Sequence, residues 1–192
     1  MQISENNFLK SACFSENKGP SGPFFDILAT YMKVVIQRVS EASVTIDGAV
    51  HGAIGKGFLL LVGIEDSDTE EIVQKVADKV AKMRIFDDEK GKMNLSLAQV
   101  GGAILSISQF TLFADCAKGN RPSFDKAGKP EHAKKLYLYF DEVLRSYGYQ
   151  VEEGIFAAEM KVRLLNDGPI TIVLDSHELR GGSAHGEDHL RK

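Results

Sequence analysis

The sequence predicts a mixed α/β protein whose single domain is dominated by a sheet and carries two helices. Two observations predict this class: strand-like runs occur near both ends of residues 32–175, and two stretches between them repeat apolar residues at three- and four-residue steps. The chain has 192 residues, 43% of them hydrophobic and 26% charged, values typical of a globular protein. One domain of ordinary size is therefore expected.

The predicted strands begin at residue 33. Lys33–Val39 and Ser43–Ile54 are strand-like, and the second folds at Asp47-Gly48, a dipeptide that favours a type I′ hairpin turn. Phe58–Ile64 is a continuous apolar run between two glycines, which is typical of a strand buried on both faces. The remaining predicted strands are Gly102–Phe113, Tyr149–Phe156, Met160–Leu165 and Ile170–Leu174.

Two helices are predicted between these strands. Asp68 can cap a helix over Thr69–Met83, whose apolar side chains fall on one face. The second predicted helix, Glu131–Tyr147, has the same periodicity and a C-terminal stop at Gly148. The irregular stretch Ala114–Pro130 precedes it, and a loop of that length in a compact domain is usually functional or disordered.

Both flanks of the predicted domain differ from it in composition. Residues 1–31 are rich in Ser, Asn, Gly and Pro, and we expect a disordered extension, with Met32 as a conceivable internal start. Residues 176–192 are predicted to form a flexible polar tail. The extension has neither the apolar run of a secretory signal nor the arginines of a transit peptide, and Cys13 and Cys116 have no metal-ligand spacing. We therefore expect a cytoplasmic protein.

Charge and motif content exclude several classes of function. The formal net charge is −4, which does not favour a general duplex binder, so a nucleic-acid partner would have to be bound locally. The longest apolar runs fall well short of the roughly 20 residues of a membrane-spanning helix. The nucleophile elbow, the P-loop, the dinucleotide fingerprint and the zinc-protease motif are all missing, so no cofactor and no metal site are predicted.

Three segments could carry chemistry. Ser108–Leu112 places hydroxyl and amide groups at the end of a buried strand, where they either satisfy one another or face a ligand. Asn166–Pro169 is predicted as a tight reversal between two strands, and its Gly-Pro pair leaves main-chain carbonyls with little side-chain cover. Lys118–Phe124 combines cations with an aromatic ring, which suits a phosphate and a base, although a solvated loop explains it equally well.

Taken together, these segments resemble the D-aminoacyl-tRNA deacylase family. The resemblance covers about Met32 to Leu174. It rests on five segments in order: MKVVIQRV from Met32, ASV from Ala42, SQFTL from Ser108, RPSF from Arg121 and MKVRLLNDGPIT from Met160.

The resemblance implies barrel-like mixed and antiparallel sheets, two packed helices and a homodimer. It also implies hydrolysis of the ester between a D-amino acid and the terminal adenosine of tRNA, with mischarged glycyl-tRNA as a further substrate. The expected partners are the aminoacylated 3′ end of tRNA and a second copy of the chain. Proofreading of translation by this route needs neither a membrane nor a metal in the protein.

Site residues follow from the same resemblance. Ser108, Gln109, Phe110 and Thr111 would form the catalytic segment, with main-chain amides stabilising the oxyanion; Thr111 as a nucleophile is an alternative, but no base is visibly placed to activate it. The other implied residues bind substrate. Gly168 and Pro169 would form a chiral filter with a cis peptide bond that enters the partner's site, Arg38 would orient that turn, Phe156 and Met160 would lie near the adenosine, and Arg121 would hold phosphate.

Departures and rival functions complete the expectations. Glu153 and Ala157 stand where the family commonly has Thr and Gly, and Ala157 adds a methyl near the implied adenosine site. One rival function is a nucleic-acid-binding module that retains the fold. Another is a hydrolase of free D-amino-acid esters.

Overall fold

The computed structural model describes residues 31–181. Eight strands and two helices build the domain, in the order strands 1–3, helix 1, strands 4–6, helix 2, strands 7–8. The strands are β1 (Lys33–Ile46), β2 (Ala49–Ile54), β3 (Gly57–Gly63), β4 (Arg84–Asp87), β5 (Met93–Ser96), β6 (Ala103–Ser108), β7 (Val151–Glu153) and β8 (Lys161–Asp175); the helices are α1 (Glu70–Ala81) and α2 (Pro130–Ser146).

One six-stranded sheet holds the domain together, and β1 is its hub. The 14-residue β1 pairs antiparallel with β2, β3 and β8, while β3, β6 and β7 pair in parallel. β1 can pair with three strands because its first half pairs with β3, its second half pairs with β2, and β8 pairs with both halves. The sheet curls into a nearly closed, barrel-like shape, and the predicted mixed α/β class is confirmed.

Two apolar clusters on opposite faces of the sheet explain the continuous apolar run of β3. Phe58 and Leu60 belong to the larger cluster, which α1 and α2 cover. Leu59 points the other way and packs with Leu105 and Ile107 inside the curved sheet. Burial on both faces is what a continuous apolar strand predicts, so this prediction is confirmed.

The helix predictions are nearly right in position, although the cap of the first is different. Thr69, not Asp68, caps α1, with its Oγ1 accepting a hydrogen bond from the Ile72 N–H at 3.3 Å. The buried Asp68 carboxylate instead accepts from the N–H groups of Met32 (2.9 Å) and Glu65 (2.8 Å), which fixes the start of β1. α2 begins at Pro130, whose missing N–H costs nothing in a first helical turn.

Three strand predictions are corrected. The predicted strand Gly102–Phe113 stops at Ser108, and Phe110–Phe113 forms a short 3₁₀ helix. The β4–β5 hairpin was not predicted, and Tyr149–Phe156 contributes only the three residues of β7. The strands predicted on either side of Asn166–Pro169 are one continuous β8 along β1, so the reversal between them is wrong.

Few of the flanking residues fall in the described part of the chain. Ser176 is buried and donates its N–H to the Met32 carbonyl at 3.0 Å, and Glu178–Gly181 forms a 3₁₀ turn. Of the extension predicted for residues 1–31 only Tyr31 is described, and it is buried; residues 1–30 and the tail residues 182–192 lie outside the described residues. No helix within residues 31–181 is long and apolar enough to cross a membrane.

Candidate active site

A cavity of about 670 Å³ opens where β6 ends, against the N-terminal half of α2. Five of the predicted site residues line it: Ser108, Gln109, Phe110, Phe156 and Met160. Its interior is mostly apolar, with polar groups at one rim, the usual composition of a small-molecule site. The other lining residues are Val62, Ile64, Ile107, Phe124, Ala127, Gly128, Lys129, Pro130, Ala133, Tyr137, Ala157, Ala158 and Val162.

The polar rim is the turn that follows β6. The Gln109 N–H donates to the Val62 carbonyl at 2.7 Å, which ends the strand pairing, and the 3₁₀ helix begins at Phe110. The N–H groups that open such a helix have no partner within it. The N–H groups of Phe110 and Thr111 form no hydrogen bond with any described residue. Two main-chain donors are therefore available at the rim.

Thr111 itself stands beside the cavity rather than in its lining. Its Oγ1 accepts a hydrogen bond from Gln109 Nε2 at 2.5 Å. A neutral side-chain amide cannot take the hydroxyl proton, so this contact orients Thr111 without activating it as a nucleophile.

Aromatic rings mark the mouth of the cavity. Phe110 is 58% exposed and meets Phe124 edge-to-face, with ring centroids 5.2 Å apart. Phe124 belongs to the long loop, which is held by backbone pairing of Asp115 with Ser123. Arg121 is exposed in this loop and does not line the cavity.

Sequence reasoning missed Tyr137, which ties three elements of the cavity wall together. Its hydroxyl donates to the Ser106 carbonyl at 2.9 Å, and the Gly154 N–H donates to the same oxygen at 3.1 Å. The Tyr137 ring lies 6.2 Å from that of Phe156, measured between centroids. Burial raises the pKa of the tyrosine hydroxyl well above its usual value, so it stays a donor. Its sequence signal was only a place on the apolar face of α2.

The far wall depends on two small residues. A Cβ at Gly154 would lie 2.4 Å from the Met160 sulfur and 3.2 Å from Ile107 Cδ1. The absence of a side chain at residue 154 therefore leaves room for Met160 in the cavity lining. Ala157 has a φ of +62°, in the left-handed region that favours glycine. The alanine at a position where glycine was expected therefore carries a strained backbone as well as an added methyl.

Gly168 and Pro169 lie in a bulge of β8. Gln37 of β1 pairs with Thr171 and Val39 pairs with Asn166, so the four residues 167–170 stand opposite Arg38 alone. The Gly168-Pro169 peptide bond is cis, and both residues are exposed. The bulge thus projects from the strand, and its main-chain groups are accessible.

Arg38 supports the bulge from beneath. Its guanidinium is buried and donates from Nε to the Asp167 carbonyl at 3.0 Å and from Nη1 to the Ile85 carbonyl at 2.8 Å. Nη1 also pairs with the Asp87 carboxylate at 3.2 Å. Arg38 is therefore an internal residue that contacts the bulge, not a solvated surface arginine.

Asn166 closes the base of the bulge and was also missed from sequence. Its Oδ1 accepts from the Ile170 N–H at 2.8 Å, and its Nδ2 donates to the Ile170 carbonyl at 3.3 Å and to Thr171 Oγ1 at 3.0 Å. Its amide replaces the ladder bonds that the bulge interrupts. The sequence signal for this role was an asparagine directly before Asp-Gly-Pro, because asparagine side chains often hydrogen-bond the backbone of a turn.

Eight of the ten predicted site residues fall in two places within one chain, while Thr111 stands beside the cavity and Arg121 lies in the long loop outside its lining. The cavity contains the strand end with Phe156 and Met160, whereas Arg38, Gly168 and Pro169 form the bulge and are not in its lining. Among the described residues that line the cavity, Lys129 and Tyr137 are the only ionisable side chains, and none is a histidine, cysteine or carboxylate. Within residues 31–181 no three His, Cys, Asp or Glu side chains group closely enough to hold a metal ion.

The barrel-like α/β fold, with a mostly apolar cavity and main-chain donors at its rim, has the composition of a protein that binds a small molecule or a terminal group of a larger one. The family model for D-Tyr-tRNA(Tyr) deacylase matches residues 35–175. The chain therefore belongs to the D-Tyr-tRNA(Tyr) deacylase family, as its motifs suggested.

Curated relatives agree with this membership, and solved structures share the fold. Proteins named D-aminoacyl-tRNA deacylase are 60% identical over 144 residues in Lactobacillus acidophilus (75% of this chain and 99% of the relative) and 56% identical over 147 residues in Bacillus velezensis (77% and 100%). The structure titled "c-Myc DNA Unwinding Element Binding Protein" is 41% identical with a TM-score of 0.70, covering 74% of this chain and 97% of that one. A probable eukaryotic D-amino acid tRNA deacylase shares the fold at 17% identity, with a TM-score of 0.67 and coverage of 76% and 100%.

Proposed function

We propose that this protein hydrolyses the ester of D-aminoacyl-tRNA, releasing the D-amino acid and reusable tRNA in the cytoplasm. Curated relatives that are more than half identical over three quarters of this chain carry that name. The observation that carries the proposal is the division of the site: a cavity without a base, and an exposed Gly168-Pro169 bulge held rigidly elsewhere on the same chain.

A homodimer would bring the two parts together. In this proposal the bulge of one copy enters the cavity mouth of the other, so each cavity is completed by its partner. Leu165 and Val173, which flank the bulge along β8, are 57% and 65% exposed, and exposed apolar side chains next to a projecting loop favour an interface.

The discrimination between D- and L-esters follows from the protein groups that would contact the substituents of the substrate α-carbon. The Gly168 carbonyl would accept from the α-ammonium, while the Phe110 and Thr111 N–H groups would hold the ester carbonyl. With those two substituents fixed, a D-side chain points to open space and an L-side chain meets main-chain atoms. Rejection is then steric, and it cannot act on glycine, which has no side chain.

Hydrolysis needs little from the side chains because the aminoacyl ester is already activated. Water adds to the acyl carbon, the N–H groups of Phe110 and Thr111 stabilise the oxyanion, and the acyl–oxygen bond to the ribose breaks as that oxygen takes up a proton. The neighbouring ribose hydroxyl would assist the water. One lost donor in such a site costs on the order of 100-fold in rate. Phe156 and Met160 would border the adenosine, and Arg121 in the flanking loop would contact phosphate.

The test compares purified protein acting on D-tyrosyl-tRNA and L-tyrosyl-tRNA. We expect cleavage of the D-ester and a far slower reaction of the L-ester, with glycyl-tRNA also cleaved. Equal cleavage of both enantiomers, or of neither, defeats the proposal. Comparable turnover of D-tyrosine ethyl ester would indicate a hydrolase of free esters instead.

A second candidate function is a nucleic-acid-binding module. The observation that favours it is the 41% identity to the solved protein whose title describes binding to a DNA unwinding element. Tight duplex DNA binding together with no cleavage of any aminoacyl-tRNA would select this function.

A further inference from the structure

A second concave surface lies at the C-terminal end of α1, away from the residues that line the cavity. This basic cleft, of about 610 Å³, is lined by Lys75, Asp78, Lys79, Lys82, Met83, Arg84 and Leu179. Four cations and one carboxylate thus converge in a chain whose formal net charge is −4. The positive charge is local, and it needs an explanation in the fold or in a ligand.

The three lysines form a row. Residues 75, 79 and 82 follow the i, i+4, i+7 spacing that keeps side chains on one helix face, with α1 ending at Ala81 and Lys82 as its C-cap. At 1.5 Å of rise per residue the row spans about 10 Å. A nucleic-acid strand carries one phosphate per roughly 3.4 Å of duplex axis, so such a row can face about three successive phosphates.

Carboxylates neutralise only part of this row. Lys75 pairs with Glu71 at 2.7 Å, but both side chains are well exposed, and exposed pairs of this kind are weak. The Lys79 ammonium forms no ion pair with any described residue, and that of Lys82 lies 5.9 Å from the centroid of the Tyr147 ring. Asp78, the one carboxylate in the lining, accepts hydrogen bonds from the Tyr147 hydroxyl and from Gln74 that lower its pKa, and the charge of Lys82 also helps to lower it.

Stabilisation of α1 does not by itself explain the presence of Arg84 in the basic cleft. Cations near a helix C-terminus offset the helix dipole, which is reason enough for Lys79 and Lys82. Arg84 is in β4, outside the helix, and its guanidinium is held by the Asn94 carbonyl at 2.5 Å and by the Asn94 side chain. Both are neutral acceptors, so Arg84 is oriented while its charge stays uncompensated.

The basic cleft and the cavity are at opposite ends of the helix pair. α1 and α2 run in the same direction, because Glu70 contacts Lys135 and Asp78 contacts Tyr147. The cavity lies against Ala133 and Tyr137, which precede Tyr147 by 14 and 10 residues, or by about 21 and 15 Å along α2. When a terminal nucleotide occupies the cavity, a different part of the same nucleic acid would therefore face the basic cleft.

We propose that the basic cleft, with Lys75, Lys79, Lys82 and Arg84 around it, binds backbone phosphates of the tRNA body outside its 3′-terminal nucleotide. This inference rests on the proposed function for the identity of the RNA. It extends that function by giving an acidic protein a local cationic contact with its substrate. This contact depends on phosphate charge and not on nucleotide sequence, so it adds affinity for tRNA without discriminating between the attached amino acids.

The test is tRNA binding by the full chain with the double substitution Lys79→Gln and Lys82→Gln. The matched control is Lys90→Gln with Lys92→Gln, which removes the same charge from exposed lysines outside the cleft. Fluorescence anisotropy with uncharged tRNA, repeated over a range of salt concentrations, needs no catalysis. We expect the cleft variant to bind roughly tenfold more weakly at low salt, with a salt slope shallower by about 1.5, and the control to bind like wild type.

Two further measurements separate this proposal from the proposed function. Cleavage of D-tyrosyl-adenosine, which cannot reach the cleft, should be unchanged in the cleft variant, while kcat/KM for D-tyrosyl-tRNA falls. Unchanged tRNA affinity, or equal loss in the control, overturns the cleft assignment even if D-esters are cleaved. Binding of duplex DNA as tight as that of tRNA overturns the assignment to tRNA. If wild type cleaves no D-ester, the proposed function fails while the anisotropy result still decides the cleft.

Discussion

The side-chain amide of Asn166 hydrogen-bonds both main-chain polar groups of Ile170, accepting from its N–H at 2.8 Å and donating to its carbonyl at 3.3 Å. These two bonds tie the two ends of the Gly168-Pro169 bulge together. Arg38 holds its interior through the Asp167 carbonyl. The orientation of the proposed chiral filter thus depends on two polar side chains that need not touch the substrate.

The first prediction is that Asn166→Ala lowers the D/L ratio of kcat/KM by roughly tenfold or more. Without the amide the base of the bulge opens, and the Gly168 carbonyl loses the fixed position on which steric rejection depends. Single-turnover deacylation of D- and L-tyrosyl-tRNA measures the ratio. Thr171→Val removes the bonds that Asn166 and Gln37 donate to the Thr171 hydroxyl but keeps both bonds between Asn166 and Ile170, so it is the control and should keep the ratio. A wild-type ratio in Asn166→Ala would show that the bulge is held without its amide.

The second prediction concerns Gly168→Ala. Gly168 has a φ of +127°, and a Cβ there would lie 2.8 Å from Ile170 Cγ1 and 3.2 Å from Arg38 Nη2. The bulge must therefore shift, and we expect a loss of D/L discrimination of at least tenfold. Gly48→Ala is the matched control: its φ is +81°, but no atom lies within 4 Å of the new Cβ. It should lower stability by about 1 kcal/mol and leave discrimination intact. Equal discrimination in both variants contradicts the filter assignment.

The third prediction is that Gly154→Ala reduces activity with little loss of stability. The new Cβ would meet the Met160 sulfur at 2.4 Å, and because a methionine side chain is flexible, it moves instead of the backbone. The displaced thioether narrows the cavity, so kcat/KM for D-tyrosyl-tRNA should fall roughly tenfold while Tm changes by only a few degrees. A normal kcat/KM would mean that the substrate does not use this wall.

Strand β3 and helix α2 were predictable to within a residue or two because their signals are local. A continuous apolar run specifies burial on both faces of a strand, and a helical period bounded by Pro130 and Gly148 specifies a helix. The polar groups of the rim were recognisable for the same reason, from the change of composition at Ser108, although the strand itself was predicted to run on to Phe113.

The bulge was misjudged because its signals are those of any tight turn. Asn, Asp, Gly and Pro favour chain reversal wherever they occur, and whether the flanking strands pair with each other or with a third strand depends on β1, more than 120 residues away in sequence. The bond from the Gln109 N–H to the Val62 carbonyl at the end of β6 and the bond from Tyr137 to Ser106 are equally non-local. Sequence patterns do not encode such contacts.

The fourth prediction is that Ala157→Gly stabilises the protein. At a φ of +62° the Cβ of alanine is strained against the backbone, and glycine has no such strain. The Tm of Ala157→Gly should therefore rise by a few degrees, equivalent to about 1 kcal/mol. Thermal unfolding measures the change. The neighbouring Ala158→Gly, whose φ is not positive, is the control and should lower Tm by increasing the freedom of the unfolded chain. A lower Tm for Ala157→Gly would show that packing of the methyl outweighs the backbone penalty.

The last prediction concerns the buried carboxylate behind the cavity wall. Asp141 of α2 is fully buried, and neither its carboxylate oxygens nor the nearby Ser106 hydroxyl has a hydrogen-bond partner among the described residues. Burial raises the pKa of Asp141 from 3.8 to about 7, and the negative charge of Glu153 acts in the same direction. The folded state therefore holds a proton that the unfolded state releases between these two values.

The sign of the pH dependence follows from this difference. A raised folded-state pKa stabilises the protein fully below about pH 3.8, and the contribution is lost as pH rises through about 7. Asp141→Asn carries no charge at any pH, so it should match wild type near pH 5 within a few degrees and exceed its Tm by roughly 5 °C at pH 8. Glu142→Gln, the same change at the exposed neighbouring position, should shift Tm equally at both pH values. Parallel pH profiles for wild type and Asp141→Asn would show that folding does not raise the pKa of Asp141 and would contradict this prediction.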